Sequence, residues 1–210
     1  MVWVGYNGGE VASRLATEST KNYIENNFNQ IEHTKEAILK LIKDAMEYAN
    51  LVVYEKSKNE EELQGMGTTL DVCFIYNNKI YIGHVGDSRI YRIRGEMIRK
   101  LTKDHSYVQQ LVEDGKITRE EAKTHPRRNH ITRAIGTDEM VIVDIFKKQI
   151  DAGNKILLTS DGLTGFVDDN TIKDTLLKDE DVNDLTKELI NTANDVSGRD
   201  NISVILIEEK

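Results

Sequence analysis

Between residues 69 and 101 the chain runs through short β-rich segments joined by turn residues, and this block follows two helical segments instead of alternating with helices. That order excludes a βαβ architecture and points to an α+β fold. Residues 69–76 favour a strand, Asn77-Asn78 tolerates the positive φ of a two-residue hairpin, and residues 80–85 continue in strand character. Residues 89–94 alternate apolar and polar, Gly95 turns the chain, and residues 97–101 return. The pattern predicts an antiparallel meander with one buried face. Ahead of it, residues 10–28 carry an imperfect apolar stripe. In residues 34–55, Ile38, Leu41, Ile42, Ala45, Met46, Ala49, Val52 and Val53 recur at helical spacing. Beyond it, residues 106–113 read as a short helix, Thr118 to Glu121 as a capping box, residues 141–148 and 155–159 as strands, 170–177 and 182–196 as helices, and 202–207 as a last strand.

At 210 residues the chain has the length of one domain and needs no disulfide to bury a core. A single cysteine, Cys73, excludes a disulfide framework and a thiolate zinc cluster. There is no run of about 18 apolar residues, so no membrane span is expected. The chain opens without a charged-then-apolar leader, and a cytoplasmic location is expected. Residues 161–210 hold 13 acidic and 5 basic side chains, which is the whole of the net charge of −8, whereas residues 89–133 hold 12 basic and 6 acidic. An acidic end suits cations and a basic middle suits anions, with solvated faces as the plainer alternative. The acidic balance and the lack of a recognition motif argue against nucleic acid.

Three aspartates stand beside glycine at strand ends: Asp87 in Val-Gly-Asp-Ser-Arg, Asp161 in Thr-Ser-Asp-Gly-Leu, and Asp200 in Gly-Arg-Asp-Asn-Ile. A carboxylate leaving an apolar strand is costly unless it is paired. Carboxylate oxygens suit hard cations such as magnesium or manganese. One Asp-Gly pair alone is most simply a turn.

Seven words lie in order along the chain: Gly8-Gly9-Glu10-Val11-Ala12-Ser13, Gly67-Thr68-Thr69-Leu70, Gly86-Asp87-Ser88-Arg89, Leu101-Thr102-Lys103-Asp104-His105-Ser106, Ile131-Thr132-Arg133-Ala134-Ile135-Gly136, Ser160-Asp161-Gly162-Leu163 and Gly198-Arg199-Asp200-Asn201-Ile202-Ser203. In these the sequence resembles the metal-dependent protein serine/threonine phosphatases (PPM, type 2C), and most the compact bacterial members. The resemblance implies a two-sheet antiparallel β-sandwich flanked by helix pairs, four layers in α-β-β-α order, as a single catalytic domain over residues 1–210. It implies hydrolysis of phosphoserine and phosphothreonine by water activated on two manganese or magnesium ions, with no side-chain nucleophile. It carries Asp161 and Asp200 over as ligands of the catalytic pair, and Asp87 with Asp161 as ligands of a third ion. It places residues 106–130 in a flap, where Arg127 and Arg128 are candidates for substrate contact and solvated loop cations the alternative. Phosphorylated proteins are the implied substrates, with a serine/threonine kinase as the implied opposing partner. Cys73 is then expected in the core, His84 as packed core, and His105 as a loop or cap residue.

The sequence departs from the family pattern at its start. Aligning Gly8-Gly9-Glu10 puts Met1 where the family has its metal-bridging aspartate, Val2 on the following glycine and Trp3 on the methionine place. The family's first strand has no counterpart. The chain as given is therefore expected to bind catalytic ions poorly, to be weakly active, and to self-associate through open sheet edges. The alternative is a non-catalytic pseudophosphatase or phosphoprotein-binding module.

Overall fold

The computed structural model describes residues 8–198 and 200–209. They form an α+β fold with two antiparallel sheets, divided into two compact units. The first comprises residues 8–86 and 105–149, the second residues 87–104 and 150–209.

In the first unit, helices α1 (Gly9–Asn27) and α2 (Lys35–Asn59) pack on a sheet of β1 (Leu70–Tyr76), β2 (Lys79–Val85) and β5 (Asp144–Gln149), in the order β1-β2-β5. Thr34 caps α2 by accepting the Ala37 N–H. The apolar stripe read from the sequence forms the core: Ile38, Ile42, Met46, Ala49 and Val53 meet Tyr81 and Val85. Gly83 lets the helix approach, since a Cβ there would stand 2.3 Å from Met46 Sδ. Asn77 and Asn78 both take positive φ, 47° and 55°, as the hairpin requires. The remaining helices of this unit are α3 (Tyr107–Glu113) and α4 (Arg119–Thr124). Thr118 and Glu121 make the expected capping box on α4.

In the second unit the sheet runs β4 (Met97–Lys100), β3 (Arg89–Arg94), β6 (Lys155–Thr159), β7 (Val204–Glu208). Tyr91, Ile93 and Leu157 on one face meet the apolar side of α6 (Asp169–Leu176) and α7 (Val182–Val196), through Ile172, Leu176, Leu185 and Leu189. Asp168 caps α6, accepting the N–H groups of Asn170 and Thr171 at 2.9 and 3.2 Å.

The single meander is corrected. The chain makes two hairpins, β1–β2 and β3–β4, that belong to different sheets: β2 takes β5 as its second neighbour and β3 takes β6. Gly86, at φ 120°, redirects the chain between them. Two strands also start later than their composition suggests. β5 begins at Asp144, because the Arg133 guanidinium takes the Ile142 carbonyl at 2.9 Å. β7 begins at Val204, because Ser203 is engaged with Ser160 through both its N–H and its carbonyl. Cys73 lies in β1, where burial and then the charge of Asp71 push its thiol up to about 12. That removes it as a nucleophile at neutral pH. Among the described residues no helix is long and apolar enough to cross a membrane.

Candidate metal centre

All three predicted aspartates belong to the second unit. Asp87 directly precedes the Ser88–Arg89 entry into β3. Asp161 opens a four-residue helix, α5 (Asp161–Thr164), that follows β6 directly and was not legible as a helix. Asp200 sits in the loop before β7, its carboxylate accepting the Asn201 N–H at 2.8 Å.

Gly162 and Ser160 bring two of these loops together. A Cβ on Gly162 would fall 2.3 Å from the Asn201 carbonyl oxygen and 3.3 Å from Ile202 Cα, so only glycine permits the approach. Ser160 closes the contact. Its N–H donates to the Ser203 carbonyl at 3.1 Å, its hydroxyl donates to the Asn201 carbonyl at 3.2 Å, and its Oγ accepts the Ser203 N–H at 3.0 Å. Sequence reasoning passed over Ser160, although it stands beside Asp161 in one of the quoted words.

The electrostatics show the carboxylates acting on one another. Burial raises the Asp87 carboxyl to about 7, and the charges of Asp161 and Asp104 add to the rise. Asp161 is raised by the protein around it and then by the charge of Asp200. Like charges that act on one another disfavour joint ionisation, and a cation between them removes the penalty. Among the described residues no set of three His, Cys, Asp or Glu side chains stands in metal-holding geometry. The charge effects among the three run in pairs, Asp161 on Asp87 and Asp200 on Asp161.

Behind the aspartates lies an ion pair that sequence reasoning did not single out. Asp104, 8% exposed, accepts bonds from Arg89 Nε at 3.2 and 3.1 Å and Nη2 at 2.7 Å, and from Lys100 Nζ at 3.0 Å. Burial pushes the Asp104 carboxyl up, but Arg89 and Lys100 outweigh it and hold it below the usual carboxylate range. Arg89 also lowers Asp87 and Asp161. Its full charge is not available to them, because Asp104 shares it.

In the first unit a second group of charges surrounds the strand end that leads to Asp87. Gly86 N–H donates to His105 Nδ1 at 3.0 Å, and His105 N–H donates to the Gly86 carbonyl at 2.7 Å. With Nδ1 an acceptor, Nε2 carries the proton and faces Asp144 Oδ2 at 3.2 Å. Arg133 completes the group, donating to Asp144 Oδ1 at 2.8 Å. His105 is therefore more than a cap residue: it clasps Gly86. His84, fully buried as expected, bonds Asp71 at 2.6 Å in addition to packing. Arg127 and Arg128 follow α4 on the surface of the first unit. Arg127 lies over the Tyr107 ring at 5.3 Å, and the Arg128 N–H donates to the His125 carbonyl at 3.0 Å. Residues 1–7, which align with the family's aspartate-bearing strand, and Arg199 lie outside the described residues.

The sequence profile of Protein phosphatase 2C matches residues 6–206. Protein phosphatase PhpP of Streptococcus pneumoniae is 35% identical over 204 residues, covering 97% of this chain and 81% of that protein. Serine/threonine phosphatase stp of Listeria monocytogenes is 33% identical over 204 residues, covering 97% of this chain and 80% of that protein. Among solved structures, serine/threonine phosphatase Stp1 from Staphylococcus aureus superposes with a TM-score of 0.92 at 36% identity, over 99% of this chain and 80% of that one. The catalytic domain of the serine/threonine phosphatase PstP, in complex with two manganese ions, superposes with a TM-score of 0.83 at 32% identity, over 96% of this chain and 82% of that one. The chain belongs to the protein phosphatase 2C family, the metal-dependent protein serine/threonine phosphatases.

Proposed function

We propose that this chain hydrolyses phosphoserine and phosphothreonine esters of proteins, as one catalytic domain, with Asp161 as the central ligand of its divalent ions. Asp161 supports this reading because it is the aspartate coupled to both others, Asp87 on one side and Asp200 on the other. When bound, magnesium or manganese would supply charge neutralisation and an activated water. Asp161 and Asp200 would hold the catalytic ions, and Asp87 with Asp161 a further one. The chain's own residues do the remaining work. Gly162 and Ser160 lock the Asp161 and Asp200 loops together. The Arg89–Asp104 pair backs the carboxylates with a balanced charge, so that their negative field stays directed at a cation. The Gly86–His105 clasp fixes the backbone that delivers Asp87.

The test is hydrolysis of p-nitrophenyl phosphate with manganese, by the chain and by Asp161→Asn. Weak manganese-dependent turnover that chelator removes, and that falls further in the variant, is expected, weak because Met1 stands where the family has its metal-bridging aspartate. Turnover indifferent to chelator or to Asp161→Asn would overturn the assignment.

A further inference from the structure

Among the described residues the two sheets end on four edge strands: β1 and β5 in one, β4 and β7 in the other. An unpaired edge offers a row of backbone groups to another chain, and charge decides whether a second copy is attracted or repelled. The charged residue within β1 is Asp71, those within β4 are Arg99 and Lys100, and that within β7 is Glu208, so each of these strands carries one sign. β5 differs. Its body holds Lys147 and Lys148, and the segment that feeds it holds Asp138 and Glu139.

That segment is anchored and yet presents apolar side chains to water. Asn50, 1% exposed on α2, donates from its Nδ2 to the Asp138 and Glu139 carbonyls at 3.0 and 3.1 Å, and its Oδ1 accepts the Gly136 N–H at 2.8 Å. Val141, Val143 and Ile145 pack with the core beside α2. Met140 and Ile142, which alternate with them, are left 86% and 73% exposed. Half-buried Phe146 follows on β5, with Lys148 over its ring at 5.9 Å. Large apolar side chains adjacent on a fixed backbone form a patch, which is the mark of a contact surface.

We propose that this edge is the contact between two copies of the chain, set antiparallel about a two-fold axis at Val143. Counted from Val143, the acidic pair lies four and five residues to one side and the lysine pair four and five residues to the other. A two-fold axis there brings Asp138 and Glu139 of each copy to Lys148 and Lys147 of the other, and Met140 to Phe146, so that one surface complements itself. Ile142 meets Asp144 at the centre, whose carboxylate His105 and Arg133 already hold. The chain bends over residues 137–140, so the charged pairs form through long side chains and not through a backbone ladder. Among the described residues Asp138, Glu139, Lys147 and Lys148 have no ion pair within their own chain, which leaves their charges for the second copy.

The test is sedimentation equilibrium of the full chain up to about 500 µM, the reach that a contact at the small end of the interface range requires. A monomer–dimer equilibrium that loosens with added salt is expected. The paired reversals Lys147→Glu with Lys148→Glu, and Asp138→Lys with Glu139→Lys, should each weaken the dimer at least about tenfold, with unchanged circular dichroism. Mixed in equal amounts, the two reversed proteins should form a heterodimer, because each supplies the sign that the other lacks. Met140→Ser with Ile142→Ser, which leaves every charge in place, should weaken the dimer about tenfold as well. A monomer at every concentration, a dimer indifferent to both reversals, or reversed proteins that ignore each other would each overturn the proposal.

Discussion

The two units handle charge in opposite ways. In the first, the carboxylates near the strand ends meet partners: Asp71 bonds His84, and Asp144 bonds His105 and the Arg133 guanidinium. In the second, the charges of Asp161 and Asp104 raise Asp87 and the charge of Asp200 raises Asp161, while the Arg89–Asp104 pair beside them is already balanced. Paired charge of the first kind fixes backbone, as His105 does for Gly86. Unpaired charge of one sign is a standing cost that a folded chain keeps only where a ligand relieves it. The contrast is what leads us to propose the metal site in the second unit, with the His105 bonds to Gly86 fixing the backbone that leads to Asp87.

The largest structural effect is expected where the second unit does pair its charge. Asp104→Ala strips Arg89 of three hydrogen bonds and Lys100 of one. Truncating one partner of a buried pair costs about 3–5 kcal/mol, measurable as a shift of the urea midpoint. A loss below about 1 kcal/mol would place the pair among ordinary surface bridges.

Next comes a pH effect in the first unit. Burial, and then the charge of His84, hold the His105 imidazole down to about 4, against 6.5 unperturbed. Between those values the unfolded chain binds a proton there that the folded chain does not. The His105 contribution therefore weakens as pH falls from 6.5 towards 4, by about 2–3 kcal/mol in all. Raised carboxyls at Asp87 and Asp161 pull the other way, so the readout is the difference between the parent chain and His105→Asn across that window. The parent should lose more stability on acidification than the variant. Equal slopes would show that His105 titrates alike in both states.

A smaller effect tests the contact between the aspartate loops. Gly162→Ala forces a Cβ against the Asn201 carbonyl and should cost about 1–3 kcal/mol of stability. Because it parts Asp161 from Asp200, manganese affinity should fall as well. Lost stability with unchanged affinity would separate the loop contact from ion binding.

Much of this was legible in the sequence, for identifiable reasons. Helix α2 followed from its 3.6-residue stripe, the β1–β2 hairpin from Asn77-Asn78, and the start of α4 from the Thr118–Glu121 box, all local signals. The three aspartates were visible as carboxylates beside glycine at strand ends. The assignment of β2 and β3 to different sheets was not, because pairing depends on β5 and β6, which lie some sixty residues further on. Nor were the roles of Asp104 and His105. Both stand in one quoted word, Lys103-Asp104-His105-Ser106, yet their functions come from Arg89 and Gly86, which tertiary structure brings to them. The short helix α5 escaped because four residues carry no periodicity. That β5, with Lys147 and Lys148, lies at a sheet edge depends on the same long-range pairing.

The central claim is that the aspartates of the second unit serve to bind a divalent ion. Calorimetric titration of manganese into the chain and into Asp161→Asn, both shown folded by circular dichroism, tests it most directly. The account predicts saturable uptake by the parent and an affinity at least about a hundredfold weaker in the variant, since Asp161 is shared by both carboxylate pairs. Equal uptake by the two proteins, or none by the parent, would contradict it.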